Sequence, residues 1–320
     1  MRFASWLLGL LLSAPLQADW HRAEWDSMGT RASVEFFHAG HGADAIVTAL
    51  QEEFQRLESL LSPWISDSEL ARFNTLDANE RLTISPELET LLRRSRHYWE
   101  ASAGAFDVTF AGAGHLYDYR AGVAPDAETL SATVINMSLI GLDARQAWKK
   151  DARVRIDLGG IAKGYAIDQA VTLLQQRGVE HAWVSLGGDS YVLGQRGDRP
   201  WTIGIRHPRD RDAVALSLPL SNVAVSTSGD YQRYFVRDGE WIHHILDPQT
   251  GRSANQLVSV TVVADRSIDA DALSTALFVL GVDAGLALAN RLPGISAVII
   301  DRHGKVHYSA DLSPPSADRP

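Results

Sequence analysis

Asp157-Leu158-Gly159-Gly160-Ile161-Ala162-Lys163-Gly164-Tyr165-Ala166-Ile167-Asp168 is the stretch that most constrains how this chain can fold. It passes from an apolar strand pattern through two glycines and a lysine into a helix pattern. Paired glycines let the backbone approach another group closely, because no Cβ intervenes. A helix opening just after them presents free N–H groups to any anion placed there. The order is not that of the Walker A loop, and no third glycine completes a dinucleotide-binding fingerprint. Taken alone, the stretch suits a structural strand-to-helix turn as well as a phosphate-handling loop.

At 320 residues the chain fits one large domain or two small ones. No linker rich in Pro, Gly or Ser divides it, and no internal repeat is visible. A net charge of −9 argues against a duplex nucleic-acid binder, which needs a basic face to displace counterions. The absence of cysteine excludes disulfides, thiolate metal ligands, a cysteine nucleophile and a lipid-modified N-terminus. Residues 1–18 read as an export signal, with Arg2 as the n-region, a short apolar run over 6–12, and Ala14 or Ala18 before the cut. That run is shorter than the roughly 20 residues needed to cross a bilayer. A buried N-terminal helix is the plain alternative. The expectation is a soluble periplasmic protein with no lipid anchor.

Period-2 alternation marks a strand at 33–37. Helical spacing of Ile46, Leu50, Phe54, Leu57 and Leu61 marks the helix that follows. A second helix spans 86–102, with Pro86 near its start, where proline is tolerated. Strands are expected at 154–156, 181–185, 201–206, 214–218, 222–226, 256–263 and 296–300. Helices are expected at 162–176, closed by Gly178, and at 270–280, closed by Gly281, with 283–291 completing a helical hairpin. Strands and helices mix without a βαβ rhythm. The fold class is therefore α+β, one compact architecture of mixed or antiparallel sheets with packed helices over 19–312. The proline-rich tail 313–320 is expected to be disordered.

Short motifs combining glycine, a polar side chain and a turn recur along the chain. They are Met28-Gly29-Thr30, Ser62-Pro63-Trp64 leading into Ser68–Asn74, Gly104-Ala105-Phe106-Asp107-Val108-Thr109, the Asp157 stretch, and His243-His244-Ile245-Leu246-Asp247-Pro248-Gln249-Thr250-Gly251. Another, Asp269-Ala270-Asp271-Ala272-Leu273-Ser274-Thr275-Ala276, opens a helix with carboxylates. Each has a plain reading. Asp247 to Gly251 is good type I turn chemistry, and Asp269 could be an N-cap. Together with Ser226-Thr227-Ser228-Gly229 they resemble the ApbE-like family of FAD:protein FMN transferases, from Met28 to about Gly281. The resemblance implies an exported enzyme that splits FAD with the help of magnesium. It would move the FMN half onto a threonine or serine hydroxyl of another protein and release AMP.

Asp271 and Thr275, four residues apart, share a helix face and can grip one ion. Magnesium prefers such hard oxygen ligands. By resemblance both are metal ligands, joined by the backbone carbonyl of Ala162, with the Ser274 carbonyl a weaker candidate. The resemblance makes His244 the general base, a side chain able to titrate near neutral pH. His243 would point the opposite way in an extended run. Trp64 stands where the family carries an aromatic near the flavin. Met28, Ala105, Phe106, Asp107 and Ile245 match FAD-contacting positions, and Lys163 and Tyr165 are expected against the cofactor or its phosphates. The implied acceptors are flavoprotein subunits of sodium-pumping NADH:quinone reductase-like or related membrane redox complexes. The same residues also suit a magnesium-dependent FAD pyrophosphatase, with water attacking, or a non-catalytic FAD-binding protein.

Overall fold

The computed structural model describes residues 18–312 apart from 40, 207–208 and 211–212. Residues 1–17 of the expected leader 1–18, and the tail 313–320, lie outside the described residues. Strands β1 (Ala18–Ser27) and β2 (Thr30–Ala39) form a hairpin closed by Met28 and Gly29, whose φ angles are 51° and 69°. That is the two-residue geometry whose twist matches paired strands. Six more strands extend the sheet: β3 (Ala182–Leu186), β4 (Asp189–Leu193), β5 (Val223–Gly229), β6 (Leu257–Ala264), β7 (Ser296–Asp301) and β8 (Val306–Tyr308). They lie side by side in chain order, each antiparallel to its neighbours.

Helices α1 (Ala43–Leu61), α2 (Pro86–Ala101), α3 (Ala162–Gln176) and α4 (Ser267–Arg291) supply the rest of the core. The spacing that predicted α1 is the face it buries: Ile46, Leu50, Phe54, Leu57 and Leu61. Helix α4 packs on β5, β6 and α3, and α1 packs on α3. By length and composition α4 could cross a membrane, yet more than half of its most apolar window is buried inside the protein. It also breaks at Gly281, whose φ of 78° and ψ of −173° are not helical. A Cβ on Gly285 would lie 3.1 Å from the Leu277 carbonyl oxygen. A straight helix would hold residues eight apart about 12 Å from each other. The expected hairpin with its break at Gly281 is therefore present, and the fold is α+β.

One expected strand is absent. Residues 154–156 carry no regular secondary structure and join no sheet. The Asn74 side chain takes the place of a neighbouring strand: its Nδ2 donates to the Ile156 carbonyl at 2.9 Å and its Oδ1 accepts from the Ile156 N–H at 2.8 Å. Val154, Ile156 and Leu158 are buried, so the period-2 signal reported burial rather than pairing. Short hairpins flank the main sheet. Tyr234–Arg237 with Glu240–His243 and Leu246–Asp247 with Arg252–Ser253 carry the histidine motif.

Candidate active site

The glycine-lysine stretch first of all docks α3 onto α4. A Cβ on Gly164 would meet the Ser267 carbonyl oxygen at 2.2 Å, so only glycine allows the two backbones this close. Asp168 accepts hydrogen bonds from the N–H groups of Ser267 at 2.7 Å and Ile268 at 3.3 Å. It thereby caps α4 from a different helix and sets a negative charge at the positive end of its dipole. A Cβ on Gly160 would approach Thr275 Oγ1 to 3.1 Å. Ala162, Asp271 and Thr275 are thus gathered at one junction.

Lys163 joins that junction to the sheet. Its Nζ donates to Asp189 Oδ2 at 2.7 Å and to Asp271 Oδ1 at 2.8 Å. The Gly164 N–H donates to the other Asp271 oxygen at 3.0 Å. Asp189 and Asp271 are 3% and 2% exposed, so water does little to screen them. Burial and the nearby charge of Asp189 push the Asp271 carboxyl above its ordinary range, against the pull of Lys163. Burial works against the Lys163 ammonium, but the charges of Asp189 and Asp271 outweigh it and hold the lysine protonated. Behind this group the Ser226 hydroxyl donates to Asp189 Oδ1 and lies 3.0 Å from Ser274 Oγ. Ser228 Oγ is 2.8 Å from Ser274 Oγ and 3.4 Å from Thr275 Oγ1.

These residues suit a hard divalent cation. The donors are a carboxylate, a hydroxyl and a backbone carbonyl, all oxygen, and a cationic ammonium already rests on Asp271 Oδ1. Among the described residues no cluster of three or more His, Asp or Glu side chains could hold a metal alone. A metal here would complete its shell with waters or phosphate oxygens, as magnesium commonly does.

The histidine bend stands beside the junction. His243 is fully buried, with Phe278 edge-on to its ring at a centroid distance of 5.6 Å, and its Nδ1 accepts from the Ile245 N–H at 3.3 Å. His244 leaves the strand, and its N–H donates to the Arg233 carbonyl at 3.2 Å. Its Nδ1 is buried with no partner, which leaves Nε2 as the open ring nitrogen. Burial, with the charges of His243, Arg233 and Lys163 acting in the same direction, pushes the His244 pKa down from 6.5 to about 3. The neutral imidazole is therefore favoured, the form a general base needs. Lys163 and Arg233 also bear on Asp157, whose carboxyl burial raises and the Gly159 N–H opposes.

Other expected site residues are placed less uniformly. The virtual Cβ of Gly29 lies 3.8 Å from an Arg233 guanidinium nitrogen, bringing the Met28 turn to the histidine bend. Phe106 is buried, 3.5 Å from the virtual Cβ of Gly160, and Ala105 precedes it. Both Asp107 oxygens are spent on structural contacts: Oδ1 accepts from Thr109 N–H and Oγ1 in its own turn, and Oδ2 accepts from the distant Met137 N–H. Ile245, next to His244 in the chain, is buried. Trp64 is 81% exposed on the turn after α1. Tyr165 is not brought to the cluster. It sits two residues round the helix from Lys163, and its charged neighbours are Glu87, Arg56, Glu53 and Arg266.

Sequence reasoning missed Asp189 and Arg233. The two-residue Gly187-Gly188 turn just before Asp189 was the available signal for the first. Arg233 carried none, since its place in the β5-to-hairpin turn depends on tertiary structure alone.

A meandering antiparallel sheet with one oxygen-lined, lysine-bridged charged site defines the class: a single α+β domain whose chemistry gathers where α3 meets α4. Within that class the chain belongs to the ApbE family, whose family model matches residues 28–299. A FAD:protein FMN transferase of Treponema pallidum is 34% identical, over 92% of this chain and 88% of its own. One of Vibrio cholerae is 32% identical, over 90% of each. The solved flavin transferase ApbE from Vibrio cholerae superposes with a TM-score of 0.83 at 29% identity, covering 92% of this chain and 98% of its own. The apo flavinyl transferase ApbE of Pseudomonas stutzeri gives 0.82 at 32% identity, over 92% and 96%.

Proposed function

We propose that this chain is a magnesium-dependent FAD:protein FMN transferase. It moves the FMN half of FAD onto a threonine or serine hydroxyl of an acceptor flavoprotein and releases AMP. The observation that carries this reading is the meeting of Lys163, Asp271 and His244 in a chain of this family. Charge supports the metal. Asp157, Asp189 and Asp271 are answered by Lys163 and Arg233, so carboxylates outnumber cations before any diphosphate enters. Magnesium on Asp271, Thr275 and the Ala162 carbonyl would offset that excess and polarise the phosphorus–oxygen bonds.

The chain's own residues supply the remainder. His244 Nε2 accepts the proton of the acceptor hydroxyl. The hydroxyl oxygen bonds to the FMN phosphorus while the bond from that phosphorus to the bridging oxygen breaks, and AMP leaves with the bridging oxygen. Lys163 and Arg233 offer N–H donors to the charge that grows on the diphosphate. The exposed Trp64 indole offers a flat face to the flavin ring.

The mature protein, FAD, magnesium and a purified acceptor domain, followed by flavin fluorescence on a denaturing gel, test the reading. A covalently labelled acceptor is expected. Free FMN with an unlabelled acceptor would make the protein an FAD pyrophosphatase, and intact bound FAD would make it a binder; either overturns the proposal. The acceptor class, subunits of sodium-pumping or related membrane redox complexes, rests on family resemblance alone. We also read residues 1–18 as a leader that delivers the protein to the periplasm. Mass spectrometry should find the mature N-terminus near Asp19, and an intact Met1 on a cytoplasmic protein would overturn the assignment.

A further inference from the structure

We propose that Lys163 is the cation that guards Asp271 in the metal-free protein, and that Asp189 positions it to give way when a divalent cation arrives. The inference rests on the metal reading above and concerns residues that are not themselves metal ligands.

The Asp271 carboxylate is divided. Oδ2 is held by the Gly164 N–H at 3.0 Å, so Oδ1 is the oxygen left for a metal, and Lys163 Nζ occupies it at 2.8 Å. A buried carboxylate stripped of its partner is costly, so Asp271 loses the lysine only in exchange for another cation. Lys163 is in the same position, and Asp189 answers it. At 2.7 Å it keeps the ammonium paired after Asp271 is surrendered. Asp189 is itself immobilised, with the Ser226 hydroxyl on its other oxygen and the Ser185 hydroxyl donating to its carbonyl at 2.9 Å. The contacts from Ser226 through Ser274 and Ser228 reach Thr275, so one hydroxyl chain fixes both the fallback partner and the second metal-side oxygen. An ammonium has three N–H donors, and those not spent on Asp189 can turn to an incoming diphosphate.

A guard and a ligand make opposite predictions. Removing a competitor tightens metal binding, whereas removing a metal-supporting group loosens it. Titration of the full mature protein with Mn²⁺ alone, read by the electron paramagnetic resonance signal of free Mn²⁺, needs neither FAD nor turnover. Lys163→Met should lower the Mn²⁺ dissociation constant about tenfold, within the usual range of site coupling. Asp189→Asn should raise it, because the lysine is then left with Asp271 alone. Part of that rise is simply the lost negative charge, so the two changes are combined. Asp189→Asn should cost clearly less in the Lys163→Met background than in the wild type. Equal cost in both backgrounds overturns the positioning role of Asp189, and unchanged or weaker Mn²⁺ binding by Lys163→Met overturns the guard. Where the methionine variant does not fold, as seen by circular dichroism, Lys163→Gln is read in the same way. Asp271→Ala separates the two levels: if it binds Mn²⁺ as the wild type does, the metal reading of the site fails and the inference goes with it.

Discussion

The α3–α4 junction and the His243–His244 bend are neighbours built by opposite rules. At the junction two regular helices meet, and Lys163, Asp189, Asp271, Ser226, Ser228, Ser274 and Thr275 all find polar partners. At the bend short strands give way to irregular backbone, and His243 Nε2 and His244 Nδ1 are buried without partners. An unmet buried polar atom costs about 1–3 kcal/mol. The junction is a finished network that can exchange one cation for another while its geometry holds. The bend is unfinished and gains from an arriving partner. Under the proposed function, the metal and diphosphate would meet the first kind of surface and the acceptor hydroxyl the second.

The largest effect should come from breaking the junction. Asp271→Ala removes the oxygen that Lys163 holds and that the proposed metal would share, and transfer should fall about 10³-fold, the scale on which lost transition-state electrostatics are felt. The fold should survive, because Lys163 retains Asp189 as a partner. Steady-state transfer with a melting curve checks both. Wild-type rates at limiting magnesium would remove Asp271 from the chemistry.

Much of this contrast was legible in the sequence, and what was not has a physical reason. The helical spacing of Asp271 and Thr275 put them on one face, and the break at Gly281 was readable from a single glycine. The Asp157 stretch was read as strand, turn and helix, but its strand is held by the Asn74 side chain, which no periodicity reports. The paired Gly159 and Gly160 pointed to the place of close approach, whereas the closest backbone contact in the stretch is at Gly164, against Ser267. Asp189 and Arg233 join the site through sheet order and turn geometry, long-range features absent from any local pattern. The alternation of His243 and His244 was expected, but the burial that makes one structural and the other a candidate base belongs to Phe278 and the surrounding core.

The bend should give the next effect. His244→Ala should lower the transfer rate about 10²-fold and leave FAD affinity near the wild-type value. This is the low end of the general-base range, because a strongly depressed pKa makes a weak base. The sign of the pH dependence follows from the same shift. A His pKa lowered from 6.5 keeps the ring neutral as pH falls, so the acidic limb of kcat/KM should have its midpoint well below 6.5. The variant should lose that limb. A wild-type midpoint at or above 6.5 would mean that His244 titrates as an exposed histidine does, and the contrast with the junction would lose its basis.

Arg233 sharpens the comparison from between the two regions. It is exposed, no hydrogen bond or ion pair to its guanidinium is found among the described residues, and its charge reaches both His244 and Asp157. Arg233→Gln should weaken FAD affinity about tenfold, as expected for losing a charge-assisted contact to phosphate. Arg233→Lys should recover only part of it, since a point charge replaces a planar fork. Equal affinity in all three proteins, measured by flavin fluorescence quenching, would take the guanidinium off the diphosphate.

The smallest effect on rate should come from Asp168, although it belongs to the same motif as Lys163. Its carboxylate holds the Ser267 and Ile268 N–H groups at the start of α4 and touches no group assigned to the chemistry. Asp168→Ala should behave as the loss of a helix cap, costing about 1–2 kcal/mol of stability. In a chain of this size that lowers the melting temperature by only a few degrees. With magnesium and FAD saturating, the transfer rate at 25 °C should stay within about twofold of the wild type, because Gly164 still fixes how closely α3 and α4 pack. Asn at this position should restore most of the stability, since its side-chain oxygen caps nearly as well as aspartate. A hundredfold loss of rate in a variant that melts normally would extend the junction's chemistry along α3 and redraw the boundary between its docking half and its reacting half.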